Sequence, residues 1–165
     1  MLTGAAATEA AFRERATGVR WLHFASHGEH DARQPSASRL ALAPGEGMDG
    51  WLHAFEVEEL GLDADLVVLS ACETAGARAP GEGFLGLPRA FAVGGARNVI
   101  ATLWVVDDRG SARLVAGLYR ELARGQRPSR ALRSAQLALL ADARAGRSDD
   151  LHPFFWSGYV CVGPP

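Results

Sequence analysis

Leu22-His23-Phe24-Ala25-Ser26-His27-Gly28 and Leu66-Val67-Val68-Leu69-Ser70-Ala71-Cys72-Glu73-Thr74 are the two stretches on which the fold turns. Each is a short apolar run that stops at small and polar residues and carries a reactive side chain where it ends. A run of this length, apolar at consecutive positions, is the pattern of a strand covered on both faces in a parallel sheet. Such sheets hold their sites just past the carboxyl ends of the strands, where the topology changes direction. One strand would deliver the His27 imidazole there and the other the Cys72 thiol. The pair suggests a Cys–His hydrolase.

Outward from these runs, strands and helices alternate. Thr8-Glu9 has the form of a helix start, with a hydroxyl to cap exposed amides and a carboxylate at the positive end of the dipole, and the helix is expected to about Arg15. Residues 21–25 are expected as the first strand and 31–35 as an exposed loop. Short strands over 39–43 and 50–53, with Pro44-Gly45 and Asp49-Gly50 as turn signals, suggest a small hairpin or peripheral pair. A helix over 55–60 ends at Gly61, and residues 66–71 form the second core strand. The Gly/Pro-rich segment 76–83 is expected as a loop beside the site. A helix over 84–93 carries Pro88 near its first turn, where a missing amide is tolerated, and residues 98–103 form the third core strand. Leu114, Val115, Leu118, Tyr119 and Leu122 recur at helical spacing over 111–124 before Gly125. Pro128 opens another helix, and residues 155–162 close the chain as a strand. This order implies an α/β fold: a mostly parallel or mixed sheet with helices on both faces. Leu2-Thr3-Gly4, set directly before a helix, resembles the stub of a strand. The expectation is therefore one domain over residues 1–165, shortened at its amino end and lacking an upstream strand.

Composition narrows the function. The chain has 165 residues, 48% hydrophobic and 22% charged, with a formal net charge of -2. That suits one domain with a sizeable core and leaves no electrostatic footprint for nucleic acid or an anionic membrane. All 17 basic residues are Arg, so a Walker lysine, a Schiff-base lysine and a Ser–Lys dyad are all excluded. The two cysteines, Cys72 and Cys161, are too few for a disulfide scaffold and wrongly spaced for a zinc module; a free thiol suits a reducing, cytoplasmic location. No apolar run approaches the ~18 residues of a membrane span.

Each reactive residue has a plain alternative beside the chemical one. Cys72 stands where a strand gives way to small residues, so backbone amides there can turn toward a developing oxyanion; a buried cysteine filling a strand end is the alternative. His27 precedes Gly28, whose missing side chain lets its amide approach a substrate carbonyl; the alternative is a structural histidine bonded to a loop carbonyl. His23, His27 and His30 invite a zinc reading, but four residues along a strand is roughly 13 Å, too far for one ion, and neither metal nor cofactor is expected. No Gly-x-Ser-x-Gly elbow supports a serine nucleophile. Asp107 and Asp108 follow Trp104-Val105-Val106 past the third strand and could draw a cationic substrate side chain into the same crevice, or could cap a helix.

Taken together the segments resemble the CHAT domain, a group of caspase-like peptidases commonly fused to tetratricopeptide repeats and related to caspases and separase. The matching pieces are Ala7-Thr8-Glu9-Ala10, the strand 23–28, Ser38-Arg39-Leu40-Ala41-Leu42, residues 66–74, Gly81-Glu82-Gly83-Phe84 and Arg89-Ala90-Phe91. They continue through Gly94-Gly95-Ala96-Arg97, Leu103-Trp104-Val105-Val106-Asp107-Asp108, Ala131-Leu132-Arg133-Ser134-Ala135-Gln136 and His152-Pro153-Phe154-Phe155-Trp156. They span nearly the whole chain in the family's order. The resemblance implies a three-layer α/β/α fold and a His27–Cys72 dyad, with the amides of Gly28 and Cys72 as oxyanion donors. It implies a protein or peptide substrate and a regulatory repeat region or partner. By its similarity to separase around the tryptophan strand, it also implies that Asp108 receives an arginine before the cut. A catalytically silent interaction module on the same fold is the competing expectation, and half of a larger assembled domain is a third.

Overall fold

The run Leu66-Val67-Val68-Leu69 is wholly inaccessible to solvent, as is Val99-Ile100-Ala101-Thr102. Only strands flanked by others and covered on both faces reach that state. The computed structural model describes residues 1–45, 47–71, 78–79, 83–84, 86–148 and 152–164, with 78–79 and 83–84 described by backbone alone. In chain order the elements are α1 (Glu9–Ala16), β1 (Trp21–Phe24), β2 (Gly28–Glu29), β3 (Arg39–Ala41), β4 (Trp51–His53), α2 (Ala54–Glu58), β5 (Leu66–Leu69), β6 (Arg78–Ala79) and β7 (Gly83–Phe84). They continue with α3 (Leu87–Val93), β8 (Val99–Thr102), α4 (Asp108–Ala123), α5 (Pro128–Arg144), α6 (Pro153–Trp156) and β9 (Tyr159–Val162).

The central sheet runs β1-β5-β8-β9, parallel except for β9, which returns antiparallel to β8. Side chains of the strands alternate between its faces. Val67, Leu69, Val99 and Ala101 join Phe12, Val57, Leu87 and Phe91 under α1, α2 and α3. Leu66, Val68 and Ile100 join Leu114, Leu118, Leu122, Ala131, Leu132 and Ala135 under α4 and α5. The result is the expected mixed α/β architecture with a mostly parallel sheet between helical layers. Among the described residues, no helix is long and apolar enough to cross a membrane.

Local chemistry accounts for the helix boundaries. Thr8 Oγ1 accepts from the Ala11 amide at 3.2 Å, capping α1. Glu9 is buried and receives the Arg13 guanidinium at 2.8 Å, while Arg13 also reaches Glu56 at 2.9 Å and so ties α1 to α2. Asp107 caps α4 through the Gly110 amide at 2.7 Å. Pro128 occupies the first turn of α5, where its missing N–H costs nothing.

Four expectations are corrected. The peripheral pair of strands is a three-stranded antiparallel sheet, because Gly28–Glu29 adds β2 beside β3; a two-residue strand is too short to show a period. Residues 155 and 156 belong to α6, since Pro153 presets helical φ and His152 Nδ1 accepts the Phe154 amide at 3.2 Å, so the closing strand starts at Tyr159. Within the expected loop 76–83 and helix 84–93, β6 and β7 pair antiparallel, and α3 begins only at Leu87, after Gly86 at φ 79°; the remainder of 76–83 lies outside the described residues. In place of a strand stub, Gly4–Ala6 forms a 3-10 turn.

Candidate functional site

The site is built from the register of β1 against β5. Trp21, Leu22, His23 and Phe24 pair with Leu66, Val67, Val68 and Leu69, a constant separation of 45 in sequence. The Phe24 carbonyl accepts from the Ser70 amide at 2.8 Å, carrying the pairing one residue past the strands. Residues 27 and 72 stand at the same separation of 45. Cys72 itself lies outside the described residues. What the structure describes is a pair of neighbouring parallel strand ends, one leading into His27 and the other into Cys72.

His27 occupies the turn by which the chain leaves the central sheet for the small one. Its carbonyl accepts the Ala41 amide at 2.8 Å and lies 3.4 Å from the Ser26 hydroxyl, which donates to it. Gly28 then pairs with Leu40 in β2. The backbone of His27 is thus fixed from β3 while its side chain is exposed. Asp107 and Asp108 follow β8, on the far side of β5 from β1, so the described candidates His27, Asp107 and Asp108 all come after the carboxyl ends of parallel strands of this sheet. The Asp107 carboxylate is committed to the α4 amino end. Asp108, one residue on, is exposed and makes no ion pair with a described residue. The segment between β8 and α4 is braced by α6: Trp104 stacks on Phe154, with ring centroids 6.1 Å apart, and its Nε1 donates to the Phe154 carbonyl at 3.2 Å.

The end of β5 is gripped by groups the sequence does not single out. Thr102, wholly buried on β8, donates its hydroxyl to the Ala71 carbonyl. Tyr159, buried on β9, donates its hydroxyl to Ser70 Oγ at 3.3 Å, and its own carbonyl accepts from the Gln136 side chain at 2.9 Å. Thr102 is the one polar residue in its strand run, a signal that a buried partner must exist, but nothing local names Ala71 as that partner.

Of the other histidines, His30 and His23 are engaged elsewhere. His30 Nδ1 lies 3.2 Å from the hydroxyl of buried Ser38. The His23 ring packs against Tyr119, with centroids 5.7 Å apart, and desolvation there lowers its pKa below the usual imidazole value. Burial pushes the Cys161 thiol up, which keeps it protonated and unreactive at neutral pH.

A mostly parallel sheet between two helical layers is the architecture of the caspase-like α/β/α class of folds. The chain belongs to the CHAT domain family, whose pattern it matches over residues 1–164. It is similar to tetratricopeptide repeat protein 28 of Mus musculus, 32% identical over 112 residues, and to the Homo sapiens protein of the same name, 30% identical over 112 residues. Each alignment covers 68% of this chain and 4% of the relative, so the chain corresponds to a small part of those proteins.

Proposed function

We propose that this chain is a cysteine endopeptidase domain of the caspase and separase type, with Cys72 as nucleophile and His27 as its acid–base partner. The observation that supports it is that β1 and β5 are adjacent parallel strands in register from Trp21/Leu66 to Phe24/Leu69, and that in the sequence His27 and Cys72 each follow the last paired residue by three positions. The Cys72 thiolate attacks the scissile carbonyl, and the amides of Gly28 and Cys72 receive the oxyanion. Collapse of the tetrahedral adduct breaks the C–N bond, with His27 protonating the departing amine, and leaves a thioester on Cys72. Water, deprotonated by His27, then attacks the thioester and releases the carboxylic acid and the thiol.

Asp108 is assigned to an arginine side chain preceding the cut, as the exposed and uncommitted carboxylate of the Asp107-Asp108 pair. A tetratricopeptide-repeat region, named in both relatives, is assigned as the regulatory partner, and a cytoplasmic location keeps the Cys72 thiol free.

A panel of fluorogenic peptides with Arg, Asp or neutral residues before the cut tests the assignment. Wild type should release fluorophore fastest from the Arg peptides, C72A should release none, and H27A should fall at least about a hundredfold. Loss of a charge-assisted pair is worth about 1.5–3 kcal/mol, so D108A should lose roughly ten- to a hundredfold in kcat/KM on Arg peptides and little on neutral ones. Cleavage undiminished in C72A overturns the dyad. Arg preference undiminished in D108A overturns the specificity alone.

A further inference from the structure

We propose that the outer face of α4 and α5 is a docking surface for an acidic amphipathic helix of a partner protein. The net charge of -2 conceals a segregation of charge along the chain. Residues 108–144 hold eight arginines against three carboxylates, a balance of +5, and the rest of the chain holds nine against sixteen, a balance of -7. Two of the three carboxylates are spent locally, Asp142 on Arg113 and Arg147 and Glu121 on Arg124; the third, Asp108, opens α4. Arg109, Arg120, Arg130, Arg133 and Arg144 are exposed and make no ion pair with a described residue.

At 3.6 residues per turn, Arg130, Arg133, Leu137 and Arg144 share the side of α5 opposite its buried residues Ala131, Leu132, Ala135 and Ala143. Leu137 is 49% exposed, an apolar side chain with an arginine seven residues to either side. That spacing is the one a second helix meets as it lies along the first. The stripe asks its partner helix for an apolar residue over Leu137 and carboxylates about 10 Å before and after it, where each forms a charge-assisted pair with a guanidinium. Alongside, α4 is held close: Arg113 reaches Asp142 at 3.1 Å, and a Cβ on Gly117 would lie 3.2 Å from that of Ala135. Arg109 and Arg120 on its outer face widen the cationic surface.

Charge also selects the class of partner. Duplex DNA or an anionic bilayer is attracted by the field of the whole molecule, and the -7 on the remainder opposes it. A short helix seated on the stripe responds mainly to charges within a Debye length, about 8 Å at physiological salt.

Fluorescence anisotropy of the full chain with labelled synthetic peptides tests the proposal. The probe is a helix-forming peptide with leucine at its centre and glutamates one heptad to each side; a shuffled peptide of the same composition is the control. Wild type should bind the probe at least about fivefold more tightly than the shuffled peptide, and more weakly as salt rises. R130E/R133E/R144E should weaken binding at least about tenfold, and L137S about threefold or more. R15E, at an exposed arginine of α1 in the other helical layer, should stay within about twofold of wild type. If the triple reversal does not fold, R130Q/R133Q/R144Q removes the same charges without adding carboxylates. Equal affinity for the shuffled peptide, undiminished binding in the triple variant, or no binding by wild type at low salt overturns the proposal. So does tighter binding of a duplex DNA oligonucleotide or of phosphatidylserine vesicles than of the probe, because the occupant is then an anion of another class.

Discussion

At Gly95 the backbone sits at φ +110°, and a Cβ there would lie 1.8 Å from the Leu62 carbonyl oxygen. Its neighbour Gly94 allows no Cβ either, with the Val57 carbonyl oxygen at 2.3 Å, and the Gly94 carbonyl receives the Leu62 amide. The pair lets the turn between α3 and β8 lie directly on the chain that links α2 to β5. G95A combines backbone strain with a clash against backbone, and should cost about 3 kcal/mol or more. For a domain of this size that is a fall in Tm of roughly 6–12 °C, measurable by calorimetry; a Tm within about 2 °C of wild type would contradict the close approach. Nothing in the sequence around Gly94-Gly95 announces this constraint, because the carbonyls that exclude a side chain come from residues more than thirty positions away. Thr102 was hidden for the same reason. Its partner Ala71 is set by sheet order, which no residue type announces.

At the scale of elements, β1 is the edge of the central sheet among the described residues, with β5 on one side. A groove of about 790 Å³ runs along it, lined in part by Leu2, Phe12, Val19, Leu22 and Phe24. On the other face, Trp21 and His23 lean on Tyr119 of α4, with centroids 6.1 and 5.7 Å from it. Desolvation places the His23 pKa in the fold below its ordinary value of 6.5. Between the lowered value and 6.5 the unfolded chain binds the proton more readily, so stability rises with pH there; it is complete above 6.5 and is lost as pH falls through the folded value. The carboxylates held low by hydrogen bonds from backbone amides or arginines, Asp31, Asp65 and Asp142, act in a separate window below 3.8. The urea midpoint of wild type should therefore drop between pH 7.5 and pH 5 by more than that of H23Q. Equal drops would contradict the assignment. Long elements were legible from pattern: α4 and α5 follow their apolar stripes, and the inaccessible runs 66–69 and 99–102 read directly as buried strands. Short ones were not, since β2 has two residues and α6 four, fewer than either period needs.

At the scale of the molecule, the proposed function depends on order rather than on any single motif. The parallel strands β1, β5 and β8 lie side by side, and the residues that follow them are His27, Cys72 and the Asp107-Asp108 pair. The sequence shows that each apolar run ends on a polar residue; that β1 and β5 are neighbours, and share a register, emerges only from the packed sheet. Of the two adjacent carboxylates, structure rather than sequence distinguishes them, because only the capping bond to Gly110 shows which one is committed. The chain carries two thiols, and Cys161 is held protonated by its surroundings, so it serves as an internal reference for the reactivity of Cys72. The measurement that bears most directly on the dyad is labelling of wild type and H27A by a peptidyl-arginine chloromethyl ketone, followed by intact mass and peptide mapping. A single adduct on Cys72, formed much more slowly in H27A and absent from Cys161, is the result expected. Labelling that spares Cys72, or that modifies it equally fast without His27, would contradict a Cys–His peptidase.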